Sequence, residues 1–397
     1  MKEILGNIAS PKGFSADGIH TGIKKRKLDL GWIVSECPSS VAYVQTTNKV
    51  KAAPLILNKR TIQTKGKIQA IIANSGIANA CTGEKGMEDA ISMQQQTSES
   101  LSINQDLICV ASTGIIGQRL PMVKVKKGIQ QLNIDGNANH FAKAILTTDL
   151  TTKTCVVNET FDQTTVTMAG VAKGSGMIHP NMATMLAIIT CDANISTETL
   201  QVALKTNIDK TFNQITIDGD TSTNDLVLVL SNGLAKNKEI LPNTEEFTTF
   251  CNMLEHVMRS LAIQIAKDGE GATKLIEVTV DEMPDEITAR MIAKTVVGSN
   301  LVKTAIYGED PNWGRIFAAI GYTQSNFDIN NVDILIEGIP VMKGSTPITY
   351  NIDTMQNKLK NKDIHININM HQGNTSGTAW GCDLTYDYVK INALYTT

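Results

Sequence analysis

The chain has 397 residues, 42% hydrophobic and 19% charged, with a formal net charge of −3 and only 5% aromatic residues. This length exceeds one ordinary core and predicts two domains, while the charge argues against nucleic acid as the main partner. Ile, Val, Leu, Met and Ala are left to build the interior. No apolar run approaches the ~20 residues of a membrane span. Met1–Gly6 has neither the apolar stretch of a secretion signal nor the Arg/Ser-rich character of a transit peptide. The seven cysteines are irregularly spaced with no C-x-x-C pair, as expected of free thiols in a reducing cytoplasm.

In chain order, Lys24-Lys25-Arg26-Lys27 reads as a solvated loop. Residues 67–73 form a short apolar run ending at Asn74-Ser75-Gly76, which predicts a buried strand feeding a loop. Residues 87–101 suit a helix. Residues 107–111 read as a strand, with Ser112-Thr113-Gly114 after its end as a turn, and Pro121 lies near the start of a further helix. Strands are predicted over 164–172, 185–190 and 226–230. Ser196 is placed to cap a helix with Leu200, Ala203, Leu204 and Ile208 on one side. Asn243 with Glu246 suggests a capping-box variant. It opens a helix whose buried stripe is Phe247, Phe250, Leu254, Val257, Met258, Leu261 and Ile265. Gly269 is expected to terminate that helix, leaving Glu270 on a turn. Residues 275–280 read as a strand, 286–298 as a helix, and Ile364, Ile366, Ile368 and Met370 as a strand burying one face. The pattern predicts mixed α/β architecture with a domain boundary near residue 275.

The stretch from Lys173 to Leu186 carries the chemistry. A loop rich in Gly, Pro and Asn runs into Ala183, Thr184 and an apolar run, the pattern of a self-cleaving enzyme with an N-terminal threonine nucleophile. The Thr184 hydroxyl would attack the Ala183 carbonyl and shift the acyl group from nitrogen to oxygen. Water would then release a chain beginning at Thr184. The freed α-amine, with an ordinary pKa of about 7.7–8.0, is suited to act as the base of the mature nucleophile. On these residues alone, a loop entering a buried strand is the better explanation of the stretch.

Other candidates read as structural. Asp218, Asp220 and Asp225 cluster around Gly219 but lack the spacing of an EF-hand, so they read as a turn whose carboxylates accept from backbone N–H groups. Gly174-Ser175-Gly176 has His179 in place of a third glycine and is not a dinucleotide motif. His179 reads as a loop histidine without chemical duty. The six histidines show no zinc-ligand spacing, so no metal is expected.

Several further motifs stand in order along the chain: Asn74-Ser75-Gly76-Ile77-Ala78-Asn79-Ala80-Cys81-Thr82-Gly83, Ser112-Thr113-Gly114-Ile115-Ile116-Gly117, Thr147-Thr148-Asp149, Asp218-Gly219-Asp220-Thr221-Ser222-Thr223-Asn224-Asp225, Asp268-Gly269-Glu270-Gly271 and the C-terminal run from Asp383 to Ala393. Together with the Lys173–Leu186 stretch they resemble the ornithine acetyltransferase family, also called glutamate N-acetyltransferase, from about Gly22 to Thr397. The resemblance implies a layered α/β sandwich of the self-processing N-terminal-nucleophile type over 1–275, with a second, smaller α/β domain over 276–397. It implies cleavage between Ala183 and Thr184, and acetyl transfer from N2-acetyl-L-ornithine to L-glutamate through an acetyl ester on Thr184. It makes Thr113 and Gly114 the oxyanion-stabilising pair, and Thr147, Lys173, Thr184, Glu270, Asn392 and Thr397 substrate-binding positions, with Thr148 the alternative to Thr147. Lys173 suits a substrate carboxylate and Glu270 a substrate amine. The C-terminus would fold back over the cleft of the first domain. No cofactor is implied; acetyl-CoA is a second candidate donor, as a substrate. The two cleavage products would remain together as an α2β2 heterotetramer.

Two other readings stay open at this point. One is an N-terminal-nucleophile amidase or aminopeptidase, in which water takes the acyl group. The other is a non-catalytic binding protein that keeps the fold and an intact chain.

Overall fold

The fold is seen in a computed structural model that describes residues 1–179 and 185–394. Ala183, Thr184 and Thr397 lie outside the described residues. The first sheet uses β1 (Lys2–Glu3), β2 (Phe14–Ile19), β3 (Leu30–Gln45), β4 (Lys67–Ile77), β5 (Ile108–Ile115), β6 (Lys153–Phe161), β7 (Thr164–Lys173) and β8 (Leu186–Cys191). After β9 (Ile215–Thr216), which goes elsewhere, β10 (Leu226–Ser231) completes it. The order is β1-β6-β7-β8-β10-β3-β4-β5, with β2 added on β3.

The strands in the middle are buried on both faces, which is why their sequences are near-continuous apolar runs rather than alternating ones. Along β8, Ala187 and Ile189 face the core under the helices Thr197–Ile208 and Glu245–Lys267. Leu186 and Ile188 face the opposite core with Leu55, Ile62 and Phe141. The Glu245–Lys267 helix buries Phe250, Leu254, Val257, Met258, Leu261 and Ile265 as its three–four spacing requires.

The second sheet uses β9, β11 (Leu275–Met283), β12 (Asp333–Ile336), β13 (Ile339–Lys343), β14 (Thr346–Pro347), β15 (Asp363–Asn369) and β16 (Thr375–Cys382), in the order β14-β13-β12-β15-β11-β16-β9. Ile364, Ile366, Ile368 and Met370 line one buried face against the helices Glu286–Gly298, Asn300–Tyr307, Trp313–Gly321 and Ile352–Leu359. This is the mixed α/β architecture the sequence pattern predicts. Strand β9 pairs with β16 although it precedes residue 275, and Trp380 and Cys382 of β16 belong to the core of the first sheet.

Three local expectations are corrected. Ser112-Thr113-Gly114 does not follow its strand but forms the end of β5, because the three residues pair with Asn74-Ser75-Gly76 of β4 in parallel register. Asn243 does not cap the long helix: it sits at φ 62, and the Thr244 hydroxyl accepts from Phe247 N at 3.1 Å instead. Gly269 is not a left-handed terminator. The last turn closes on Asp268, and the missing side chain of Gly269 makes room for Cys382, whose Sγ would lie 2.6 Å from a Cβ there.

Candidate active site

The site lies where β4, β5 and β7 end and β8 and β10 begin. Asn74, Ser75 and Gly76 stand directly beside Ser112, Thr113 and Gly114. Ser112 Oγ donates to Asn74 Oδ1 at 2.6 Å, and Asn74 Nδ2 donates to Ile77 O at 2.9 Å. Gly114 has φ 130, and a Cβ on it would meet the carbonyl carbon of Gly76 at 2.3 Å, so both residue type and position are dictated by the neighbouring strand. Asn224 ties the start of β10 to this pair of strand ends, its Nδ2 donating to Ala78 O at 2.6 Å and Ser112 O at 2.8 Å.

Lys173, the last residue of β7, is buried and sends its ammonium to Thr113 Oγ1 at 3.3 Å. Burial lowers its pKa, and Asp149 opposes that shift. Asp149 is itself fully buried and takes Lys153 Nζ at 2.5 Å, Gly174 N at 2.7 Å and Thr147 N at 2.9 Å. Burial alone would raise its carboxyl; Lys173, Lys153 and the hydrogen bonds win and hold it well below the usual carboxylate range. Lys153 also reaches Asp268 at 2.5 Å, so one ammonium joins the Thr147 loop to the end of the long helix.

The loop after Lys173 is held from the other side. Ser175 O accepts from Glu270 N at 2.8 Å, and Ser175 Oγ donates to Asp268 O at 2.7 Å. Asp218 accepts from Met177 N at 2.6 Å and Ile178 N at 2.9 Å. The Glu270 carboxylate packs directly on Gly176, where a Cβ would stand 2.4 Å from Oε2. The C-terminal helix Tyr386–Leu394 returns to this point: Tyr388 OH donates to Asp218 Oδ2 at 3.3 Å and Asn392 Nδ2 to Glu270 Oε2 at 2.8 Å. His179 Nδ1 pairs with Thr216 Oγ1 at 2.9 Å, and burial, helped by Lys294, pushes its pKa down to about 4.

The model of the ArgJ family matches residues 15–397. The chain belongs to the ArgJ family. It is 63% identical over 397 residues to the arginine biosynthesis bifunctional protein ArgJ of Streptococcus thermophilus, covering 100% of both chains. It is 62% identical to the protein of that name from Staphylococcus epidermidis, again over 100% of both. The crystal structure of the bifunctional protein argJ from Bacillus halodurans is similar at 49% identity and a TM-score of 0.50, covering 52% of this chain and 97% of that one.

In this ArgJ chain, Thr113, Gly114, Thr147, Lys173, Glu270 and Asn392 fall on two flanks of one region, linked through Asp149, Lys153 and Asp268. Met185, joined covalently to Thr184, lines a cavity of about 20 Å³ with Thr113, Lys173 and Asp225. Asp218 is the backbone-binding turn carboxylate its sequence suggests. Asp225 is buried as well, with the backbone N–H and the hydroxyl of Ser222 and the hydroxyl of Thr46 bonded to its carboxyl, while its Oδ2 has no hydrogen-bond partner among the described residues. Sequence reasoning missed Lys24, read as part of a solvated run. It is half-buried with its ammonium on Leu146 O at 2.9 Å, next to Thr147, and burial lowers its pKa to about 8. Away from the site, Glu3, Cys155 and His256 come within reach of one another. Burial pushes the Cys155 thiol up to about 11, away from the thiolate that a metal requires.

Proposed function

We propose that this protein is an acetyltransferase of arginine biosynthesis that moves the acetyl group from N2-acetyl-L-ornithine to L-glutamate by double displacement on Thr184. The observation that carries the reading is the 63% identity, over the whole of both chains, to a relative named as a bifunctional protein of arginine biosynthesis. The word bifunctional in that name supports a second activity, for which acetyl-CoA is our candidate donor. The amidase reading has no comparable support, since the family match and the full-length relatives all carry the ArgJ name.

In the proposed mechanism the threonine hydroxyl attacks the acetyl carbonyl, and donors at Thr113 and Gly114 stabilise the oxyanion. Thr147, Lys173, Glu270, Asn392 and Thr397 hold the amino-acid substrate, Lys173 by its carboxylate and Glu270 by its amine. The location of Thr113 and Lys173 around a cavity with Met185 supports these roles. The chemistry needs no cofactor.

The reading includes self-cleavage between Ala183 and Thr184 and an α2β2 assembly of the two products. The Bacillus halodurans crystal chain is about half the length of this one, as a cut at that bond would make it. Strand β8, which begins two residues beyond the bond, lies between β7 and β10, so each product would keep strands of one shared sheet. We place the protein in the cytoplasm; no helix among the described residues is long and apolar enough to cross a membrane. We also keep the division near residue 275, on the support of a separate core built wholly from residues beyond it, Ile276 to Ala379.

Intact mass spectrometry of the wild type beside Thr184→Ala tests the reading. Two fragments split at Ala183/Thr184 in the first and one uncut chain in the second are expected. Glutamate-dependent loss of acetylornithine by the wild type then distinguishes transfer from hydrolysis. An uncut wild type, or acetylornithine loss indifferent to glutamate, would overturn it.

A further inference from the structure

A groove of about 750 Å³ lies along the seam between the two cores. One wall is the end of the helix Thr197–Ile208 and the turn after it, with Asp209 and Gln214. The other is the helix Glu286–Gly298, with Arg290, Met291 and Lys294. Tyr322, just past the helix Trp313–Gly321, lines it too. Seams of this kind favour ligand sites, and the volume suits a ligand of drug-like size.

Gln214 is 7% exposed. Its Nε2 donates to Asp209 O at 2.9 Å, but its Oε1 has no hydrogen-bond partner among the described residues. A buried acceptor left without a donor is costly and calls for an explanation; in the wall of a groove, a ligand N–H supplies one. Arg290 pairs with Glu286 at 2.6 Å, and a guanidinium carries five donors, more than one carboxylate takes. Lys294 is half-buried and faces Asp209 and His179. Asp209 is the acid of the lining, and its Oδ1 already accepts from Asn213 Nδ2 at 2.6 Å. With His179 held neutral, Arg290 and Lys294 outweigh it. Met291 and Tyr322 are exposed and set an apolar side chain and a ring beside these charges. Cations for phosphate, a ring for stacking and a buried acceptor for an amine are what a nucleotide requires.

Acetyl-CoA carries its acetyl group at one end of a long flexible arm and an adenine nucleotide at the other. The cavity of about 20 Å³ beside Thr113 and Lys173 has room for about one water, so a nucleotide must sit elsewhere. Ile178 lines that cavity, and the next residue, His179, lines the groove. The two therefore flank one short segment, a distance the arm spans.

We propose that this groove binds the nucleotide of acetyl-CoA, with its phosphates on Arg290 and Lys294, its base against Tyr322 and Met291, and the adenine amine donating to Gln214 Oε1. This rests on the reading of acetyl-CoA as the second donor and gives that donor a site apart from the residues assigned to acetylornithine.

The test is isothermal titration of the purified enzyme with coenzyme A, which has the nucleotide and the arm but no acetyl group, beside steady-state kinetics with each donor. Lys294→Met removes a phosphate contact and Tyr322→Ala removes the ring. Tyr322 is exposed, so its variant keeps the test alive should Lys294→Met fail to fold. Each should weaken coenzyme A binding and raise KM for acetyl-CoA by about tenfold, with KM for acetylornithine unchanged. ADP, a nucleotide without the arm, should compete with acetyl-CoA and not with acetylornithine. A wild type that binds no coenzyme A overturns the inference. So do folded variants that bind it as the wild type does, or ADP that competes with both donors alike. Each of these leaves transfer from acetylornithine to glutamate standing. An enzyme that binds coenzyme A in the groove yet moves no acetyl group from acetylornithine to glutamate would sink that reading and keep the groove.

Discussion

Glu270 and Asn392 stand 122 positions apart and meet through a 2.8 Å hydrogen bond, the amide of Asn392 donating to the carboxylate of Glu270. The bond joins the turn after the long helix to the last helix of the chain. Glu270 is half-buried and Asn392 exposed, so the pair contributes little to global stability. Its importance is positional, because it aims a carboxylate over Gly176. Asn392→Ala should therefore raise KM for the amino-acid substrate about threefold to tenfold with kcat nearly unchanged, the mark of lost ground-state binding. Glu270→Gln, which removes the charge expected to meet the substrate amine, should have the larger effect. Steady-state kinetics on both variants, with unchanged thermal unfolding, checks this.

How much of this was legible beforehand depends on the range of the interaction. Ser196 capping its helix through Thr199 N at 3.2 Å is local and readable. So is the apolar stripe from Phe250 to Ile265. The strand order was not, because periodicity carries no register. The same blindness made Ser112-Thr113-Gly114 a turn: only the neighbouring Asn74-Ser75-Gly76 makes it strand. Lys24 was misread for a related reason. A lysine in a basic run looks solvated until distant elements cover it. The convergence of Glu270 and Asn392 came from family resemblance, since nothing local marks a terminal asparagine as part of a site.

Lys153 is fully buried between Asp149 and Asp268, 2.5 Å from each. Lys153→Met keeps the stem but leaves two buried carboxylates short of their cation, which should cost about 3–5 kcal/mol. Urea unfolding at neutral pH measures it as a lower midpoint with an unchanged slope. The difference from wild type should depend on pH. Asp149 is held below its ordinary value by Lys173 and Lys153 against burial, so its stabilisation is present above the unfolded pKa of about 3.9 and fades as pH falls through the folded value. The gap between variant and wild type should narrow on acidification as Asp149 takes up its proton in both. A gap constant from neutral to acid pH would contradict the role given to Asp149.

Lys24 offers a test in the alkaline range. Burial lowers its pKa to about 8, so its ammonium is present below that pH and lost above it. With its nitrogen on the Leu146 carbonyl beside Thr147, Lys24 is placed to add a positive charge to the rim that receives a substrate carboxylate. KM for glutamate should then rise as pH passes about 8. In Lys24→Ala, KM should be higher by about tenfold, equivalent to ~1.4 kcal/mol, and flat over the same range. A wild-type profile that persists in the variant would assign the titration to another group, Lys173 first, whose pKa burial also lowers.

Gly114 and Gly76 lie opposite each other in the β4–β5 pair, both with positive φ, 130 and 102 respectively. A Cβ on Gly114 would stand 2.3 Å from the Gly76 carbonyl carbon and 2.7 Å from Ile77 N. All three nearest atoms belong to backbone, so no side-chain rotation relieves the clash. Gly114→Ala must either part the two strand ends or twist Gly114 out of its conformation, and strain of this kind costs about 1–3 kcal/mol. The adjacent Thr113 hydroxyl, which meets Lys173 at 3.3 Å, would move with it. If Thr113 and Gly114 stabilise the oxyanion, kcat should fall by about 10²–10³-fold, well beyond what the loss of stability explains. Self-cleavage in the same variant, read by intact mass, should slow as well, because both reactions pass through a tetrahedral intermediate. A Gly114→Ala enzyme that is destabilised yet retains wild-type kcat would make the residue a packing requirement of the two strands and place the oxyanion donors elsewhere.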